Sequence, residues 1–280
     1  MLSRLRLLAH QLNKAKMTTA STTVHNTNKA CCSIPPVIDH DYTPKGKFTS
    51  HGDFQKVYVT GPDESDNAIV CVFDIFGFFP QTQQGADIIA TALKTKVYMP
   101  DFFEPDSAFP IDGFPPKSDA DKQALQDFFG GPANPQRTKE KLEAFGKLLK
   151  NDGAKRLGVY GFCWGGKVVV ISSGEGTPFD ASSIVHPAML SADDASKLTV
   201  PLAIYISQDE PVDEYTKIVD ILSKKPFSAQ CDSKNYDYMF HGWAAARGNL
   251  KNEDNRKAYE EVYGKLVNYF QNTLGAKSML

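Results

Sequence analysis

The residues best suited to chemistry begin with Gly161-Phe162-Cys163-Trp164-Gly165. A thiol on a Gly-x-Cys-x-Gly turn, with the apolar run Leu157 to Tyr160 before it and Lys167 to Ile171 after it, is placed for nucleophilic attack. The glycines let a strand meet a helix at a sharp angle where larger side chains would collide. A helix N-terminus below the sulfur favours negative charge, and so the reactive thiolate. The bland reading of the same pattern is a glycine-rich turn around a buried, inert cysteine.

Such a nucleophile needs an acid and a base, expected downstream in the order nucleophile, acid, histidine. The six histidines stand at 10, 25, 40, 51, 186 and 241, and only His186 and His241 follow the turn. His186 ends a strand-like run and precedes Pro187, leaving little chain for an acid before it. His241, between Phe240 and Gly242, falls on a loop before the last helical stretch and is the expected base. The apolar run Ala203 to Ile206 leads through Ser207 and Gln208 to Asp209 and Glu210. Asp209, two residues past that strand, is the preferred acid, fixing the imidazole tautomer. Glu210 is its immediate competitor, and Asp213 is remote and suits a helix cap. The oxyanion donors expected are the backbone N–H groups of Trp164 and Ile75, because Ala68 to Phe73 runs straight into Asp74-Ile75-Phe76-Gly77. A carboxylate at Asp74, where an apolar strand meets the site, is costly unless paired.

The elements that must position these groups alternate. Strands are expected at Gln55–Thr60, Ala68–Phe73, Lys96–Met99, Arg156–Gly161, Ser183–His186, Leu202–Ser207 and Tyr236–Phe240. Helices are expected at Thr82–Leu93, Asp119–Phe129, Gln136–Leu149, Trp164–Ser173, 213–223 and 254–272. That order predicts an α/β fold: βαβ units, a mostly parallel central sheet and helices on both faces. One domain covers 46–275, and residues 1–45 read as a tail plus an irregular lead-in. Pro105 to Pro116 reads as a loop at the carboxyl end of a strand, where such folds bind ligands.

A chain of 280 residues buries a large core and needs neither disulfide nor metal to fold. A net charge of -2 supplies no basic face for nucleic acid or an anionic membrane. No apolar run approaches the roughly 20 residues of a spanning helix. Cys31, Cys32, Cys71, Cys163 and Cys231 are odd in number and scattered, which suits a reducing compartment such as the cytoplasm. No metal site is expected, since the few His and Cys are too dispersed, and no cofactor is expected, since no Gly-x-Gly-x-x-Gly follows a strand as an oxidoreductase would require. Met1 to His25 carries Arg4, Arg6, Lys14 and Lys16 and no acid. That is the composition of a mitochondrial transit peptide, or of a tail preceding a start at Met17.

The segments Asp74-Ile75-Phe76-Gly77, Pro100-Asp101-Phe102-Phe103, Gly161 to Gly166, Gln208-Asp209 and His241-Gly242-Trp243 together resemble the dienelactone hydrolases, or carboxymethylenebutenolidases. The resemblance spans about 45–272, and the Ala30-Cys31-Cys32 lead-in is similar to the fungal branch. It implies a single-domain α/β-hydrolase fold that cleaves a small-molecule ester or lactone through a thioester on Cys163, with Asp209 and His241, as a monomer or homodimer. It also implies a role for Asp74, where the family usually has Glu: holding the resting thiol protonated and taking its proton when substrate binds.

Bacterial members hold a substrate carboxylate with two arginines. Here Phe102-Phe103-Glu104-Pro105 occupies the first place, without an arginine, and Arg247 is the candidate for the second. Phe102, Phe103, Phe109 and Phe114 then point to a more apolar acyl or lactone group, or else to core, and Trp243 joins the expected substrate side. The alternative in another class is a ligand-binding module, or one whose Cys163 senses redox state.

Overall fold

Four mostly apolar runs make the middle of an eight-stranded sheet: β3 (Asn67–Val72), β5 (Arg156–Phe162), β6 (Ala181–Val185) and β7 (Leu202–Ser207). Nearly every residue in them is buried, as strands covered on both faces require. The computed structural model describes residues 37–275. The sheet continues outward through β4 (Lys96–Pro100) and β2 (Phe54–Thr60) to β1 (Lys47–His51), and on the other side to β8 (Asp232–Tyr236). Strand order is β1-β2-β4-β3-β5-β6-β7-β8. Pairs β1–β2 and β2–β4 are antiparallel and the remainder parallel.

Both edges depart from the sequence reading. β1 falls where a structureless lead-in is expected to end, and most of its residues are exposed, so it has no apolar alternation. β8 spans Asp232–Tyr236 rather than Tyr236–Phe240; its partly exposed polar residues disguise it, and the apolar stretch after it is a turn.

Among the described residues, seven α-helices lie between or after the strands: α1 (Pro80–Leu93), α2 (Asp119–Gly130), α3 (Pro135–Asn151), α4 (Trp164–Ile171), the short α5 (Ala192–Ser196), α6 (Val212–Ser223) and α7 (Glu253–Leu274). Their ends carry local signals. Ser118 and Asp121 form a reciprocal capping box on α2, Asn134 and Pro135 start α3, and Gly275 closes α7 at φ 64. α1 packs on α7, and α3 on α4. Strand alternation on β5 separates these layers: Gly158 faces Phe270 and Leu274 of α7, whereas Gly161 faces Gly165 of α4.

Residues 37–46 are irregular but docked. Tyr42 Oη donates to Asp87 Oδ2 at 2.6 Å, and Ile38 N donates to Gln84 Oε1 at 2.6 Å, both on α1. The basic segment Met1 to His25 and the Ala30-Cys31-Cys32 stretch lie outside the described residues. Among the described residues, no helix is long and apolar enough to cross a membrane.

Candidate active site

β5 ends at Phe162 and α4 begins at Trp164, so Cys163 alone makes the corner, at φ 53 and ψ -119. A non-glycine residue held there is strained, and surrounding contacts must enforce it. They do: Cys163 N donates to Val185 O at 3.2 Å, while Cys163 O accepts from Gly166 N at 3.0 Å and Ala188 N at 2.9 Å. A Cβ on Gly161 would lie 2.3 Å from Gly165 O, and one on Gly165 would lie 2.3 Å from Val72 O. Both contacts are with backbone, so glycine is required at each position.

His241 follows β8 on the loop 237–252. Its Nδ1 stands 2.6 Å from Oε1 of Glu210, a side chain only 2% exposed. The second Glu210 oxygen accepts from Ser207 N at 2.5 Å. Asp209, the acid preferred from sequence, is exposed and accepts the backbone N–H of His241 at 2.7 Å. The ring partner is therefore Glu210. Past Ser207 the chain turns so that Asp209 faces outward and Glu210 inward, with one more methylene of reach; Asp213 is in the exposed first turn of α6.

Burial opposes charge on the His241 ring, but hydrogen bonds with Cys163 and Glu210, and the charges of both, raise its pKa to about 10. The imidazole thus bridges thiol and carboxylate, with Nδ1–H committed to Glu210.

Asp74 lies just past β3, 1% exposed. Its Oδ1 accepts from Phe76 N at 3.0 Å and its Oδ2 from Ala246 N at 3.1 Å. Burial raises its pKa to about 6 against those two N–H groups and the charges of His241 and Arg247. The hydrogen bonds of Asp74 run to backbone, and they clasp the loop carrying Ile75 to the loop following His241. Among the described residues, no protein acceptor takes the N–H of Ile75 or of Trp164.

The expected substrate side is also redrawn. Phe102, Phe103 and Trp243 are wholly or almost wholly buried. Phe103 packs on the Trp164 ring at 4.9 Å, and Trp243 on Tyr236 at 4.7 Å, so all three are core. Phe109 and Phe114 are half-buried. Arg247 stays close to the site: Nη1 donates to His241 O at 2.6 Å, and its guanidinium lies over the rings of Phe114 (5.3 Å) and Phe240 (5.6 Å). One neighbour was not anticipated. His186, at the end of β6, has its ring 5.2 Å from that of His241. The strand-end position is visible in sequence; the ring contact depends on the adjacency of β6 and β7, which sequence does not show.

Comparison with known proteins agrees with this architecture. An uncharacterized AIM2 family protein of Schizosaccharomyces pombe is 32% identical over 250 residues, covering 88% of this chain and 99% of that protein. A human carboxymethylenebutenolidase homolog is 27% identical over 202 residues, covering 71% of this chain and 78% of the other. The crystal structure of a dienelactone hydrolase-like promiscuous phosphotriesterase from metagenomic libraries superposes with a TM-score of 0.53 at 15% identity. It covers 82% of this chain and 98% of its own, a likeness of fold: the α/β-hydrolase fold. The family model of the dienelactone hydrolases matches residues 55–274, nearly the whole described chain. The chain belongs to the dienelactone hydrolase family.

Proposed function

We propose that this chain hydrolyses a carboxylic ester or lactone with Cys163 as nucleophile, His241 as base and Glu210 as the carboxylate that orients it. The observation carrying the reading is the run of contacts from Glu210 through the His241 ring to Cys163, on a strained strand-to-helix corner of the kind a nucleophile elbow has. The Cys163 thiolate attacks the carbonyl carbon. The N–H groups of Ile75 and Trp164 receive the developing oxyanion. As the tetrahedral intermediate collapses, the carbon–oxygen bond to the leaving group breaks, and the imidazolium of His241 protonates the departing alkoxide.

Acylation removes the sulfur's negative charge, and with it one support for the imidazolium. The ring then becomes a competent base. It takes a proton from water, whose oxygen attacks the thioester, and the carboxylic acid leaves as Cys163 is regenerated. Arg247, anchored by one nitrogen and flanked by Phe114 and Phe240, presents its remaining N–H groups to a polar end of the substrate.

The test is p-nitrophenyl acetate hydrolysis followed by acid quench and peptide mass spectrometry. Wild type should turn over and carry acetyl on the Cys163 peptide, and Cys163→Ala should do neither. Full hydrolysis by Cys163→Ala would end the assignment. Arg247→Ala should raise KM for esters with an anionic acyl group more than for neutral ones.

A further inference from the structure

His186 takes no part in the chemistry above, yet it is an expensive residue. It is wholly buried, sits at φ 37, and neither ring nitrogen has a hydrogen-bond partner among the described residues. A buried, unsatisfied polar ring and a left-handed non-glycine backbone each cost stability, and such features concentrate where a site depends on them.

Its neighbours indicate what it does. The ring lies on Phe162 at 5.6 Å with planes 32° apart, and meets His241 edge-on at 5.2 Å and 64°. The backbone on either side is fastened to the nucleophile: Val185 O accepts from Cys163 N, and Ala188 N donates to Cys163 O. Between them His186 N donates to Tyr205 O at 2.7 Å, on the strand that leads to Glu210. Pro187 packs against Gly166, where an added Cβ would come within 3.0 Å. The segment 185–188 therefore grips the backbone of Cys163 at two points and sends the intervening ring against the base.

We propose that His186 is a positioning residue, a buried wedge that sets the plane and reach of the His241 imidazole relative to Sγ of Cys163. This rests on Cys163 and His241 being nucleophile and base. The wedge is uncharged, because burial and the neighbouring charges of His241 and Arg247 all hold its proton affinity down.

The experiment compares steady-state hydrolysis of p-nitrophenyl acetate by His186→Asn and His186→Phe with wild type and Cys163→Ala. Asn tolerates the left-handed backbone and removes the ring; Phe keeps a ring without nitrogen. His186→Asn should lower kcat by about 10- to 100-fold, the scale of a misplaced catalytic group, with KM changed less than about threefold. His186→Phe, if folded by near-UV circular dichroism, should recover most of that loss. Unchanged kcat in His186→Asn, a loss confined to KM, or a folded Phe variant as slow as the Asn one would overturn the wedge. Should the Phe variant not fold, the Asn variant decides alone. Activity surviving in Cys163→Ala would instead overturn the nucleophile itself, whatever His186 does.

Discussion

Two adjacent carboxylates reach for the same histidine, and the direction of the backbone decides which one takes the ring. Glu210 holds Nδ1 from a buried position, and Asp209 holds the main-chain N–H from outside. Glu210→Gln should lower kcat/KM by roughly 10²- to 10⁴-fold, because the amide no longer favours the working tautomer or the imidazolium. Asp209→Asn should cost less than about tenfold, since one backbone hydrogen bond is worth about 1 kcal/mol. Steady-state kinetics on both variants checks the order, and a reversed order returns the role to Asp209. The proposed nucleophile and base are readable from sequence because each is defined by type and spacing: a cysteine between glycines, a histidine after the last strand. The acid is not, because Asp209 and Glu210 are one residue apart and only the turn after Ser207 separates their directions.

Among the elements, the loop after β3 and the loop after β8 are joined by one buried carboxylate. Asp74 makes this clasp, and its pKa is raised to about 6 chiefly by burial. The sign follows from linkage. With a native pKa above its ordinary value, the folded state holds the proton more tightly than the unfolded one, so this group's contribution falls as pH rises from about 4 to about 6. Asp74→Asn removes that dependence but leaves one backbone N–H short of an acceptor, a loss of about 1–3 kcal/mol. The variant should therefore melt well below wild type near pH 4 and closer to it near pH 7; a gap independent of pH would count against the clasp. Gly165→Ala tests the neighbouring joint. Its Cβ would strike Val72 O and Phe73 O, forcing α4 off β3, so a loss of about 1–3 kcal/mol and of most activity should appear together in denaturant titration and ester assays. The helices and buried strands could be read from sequence because their periodicity reflects burial. The edges could not: β1 and β8 have too little buried surface to impose alternation.

Across the whole molecule, the sheet divides its work. The parallel strands β3, β5, β6, β7 and β8 deliver Asp74, Cys163, His186, Glu210 and His241 from their carboxyl ends, while β1 and β2 close the opposite edge antiparallel. That edge is held from within by Asp87 of α1, 1% exposed, which accepts from Tyr42 Oη at 2.6 Å, Lys45 N at 2.9 Å and Tyr58 Oη at 2.9 Å. One carboxylate thereby pins the docked lead-in, β2 and a helix together. Tyr58 is itself buried and in turn accepts from Gly46 N at 2.8 Å, so removing Asp87 strands its hydroxyl hydrogen in the core. Asp87→Ala should cost about 3 kcal/mol, because a charged acceptor with several buried donors is lost at once. Among the described residues, no member of the proposed catalytic set bonds to Asp87, so kcat/KM per folded molecule should stay within about twofold of wild type at a temperature where the variant is folded. Chemical denaturation paired with active-site titration separates the two quantities. A variant of full stability but little activity would show that the scaffold edge and the site are coupled rather than divided.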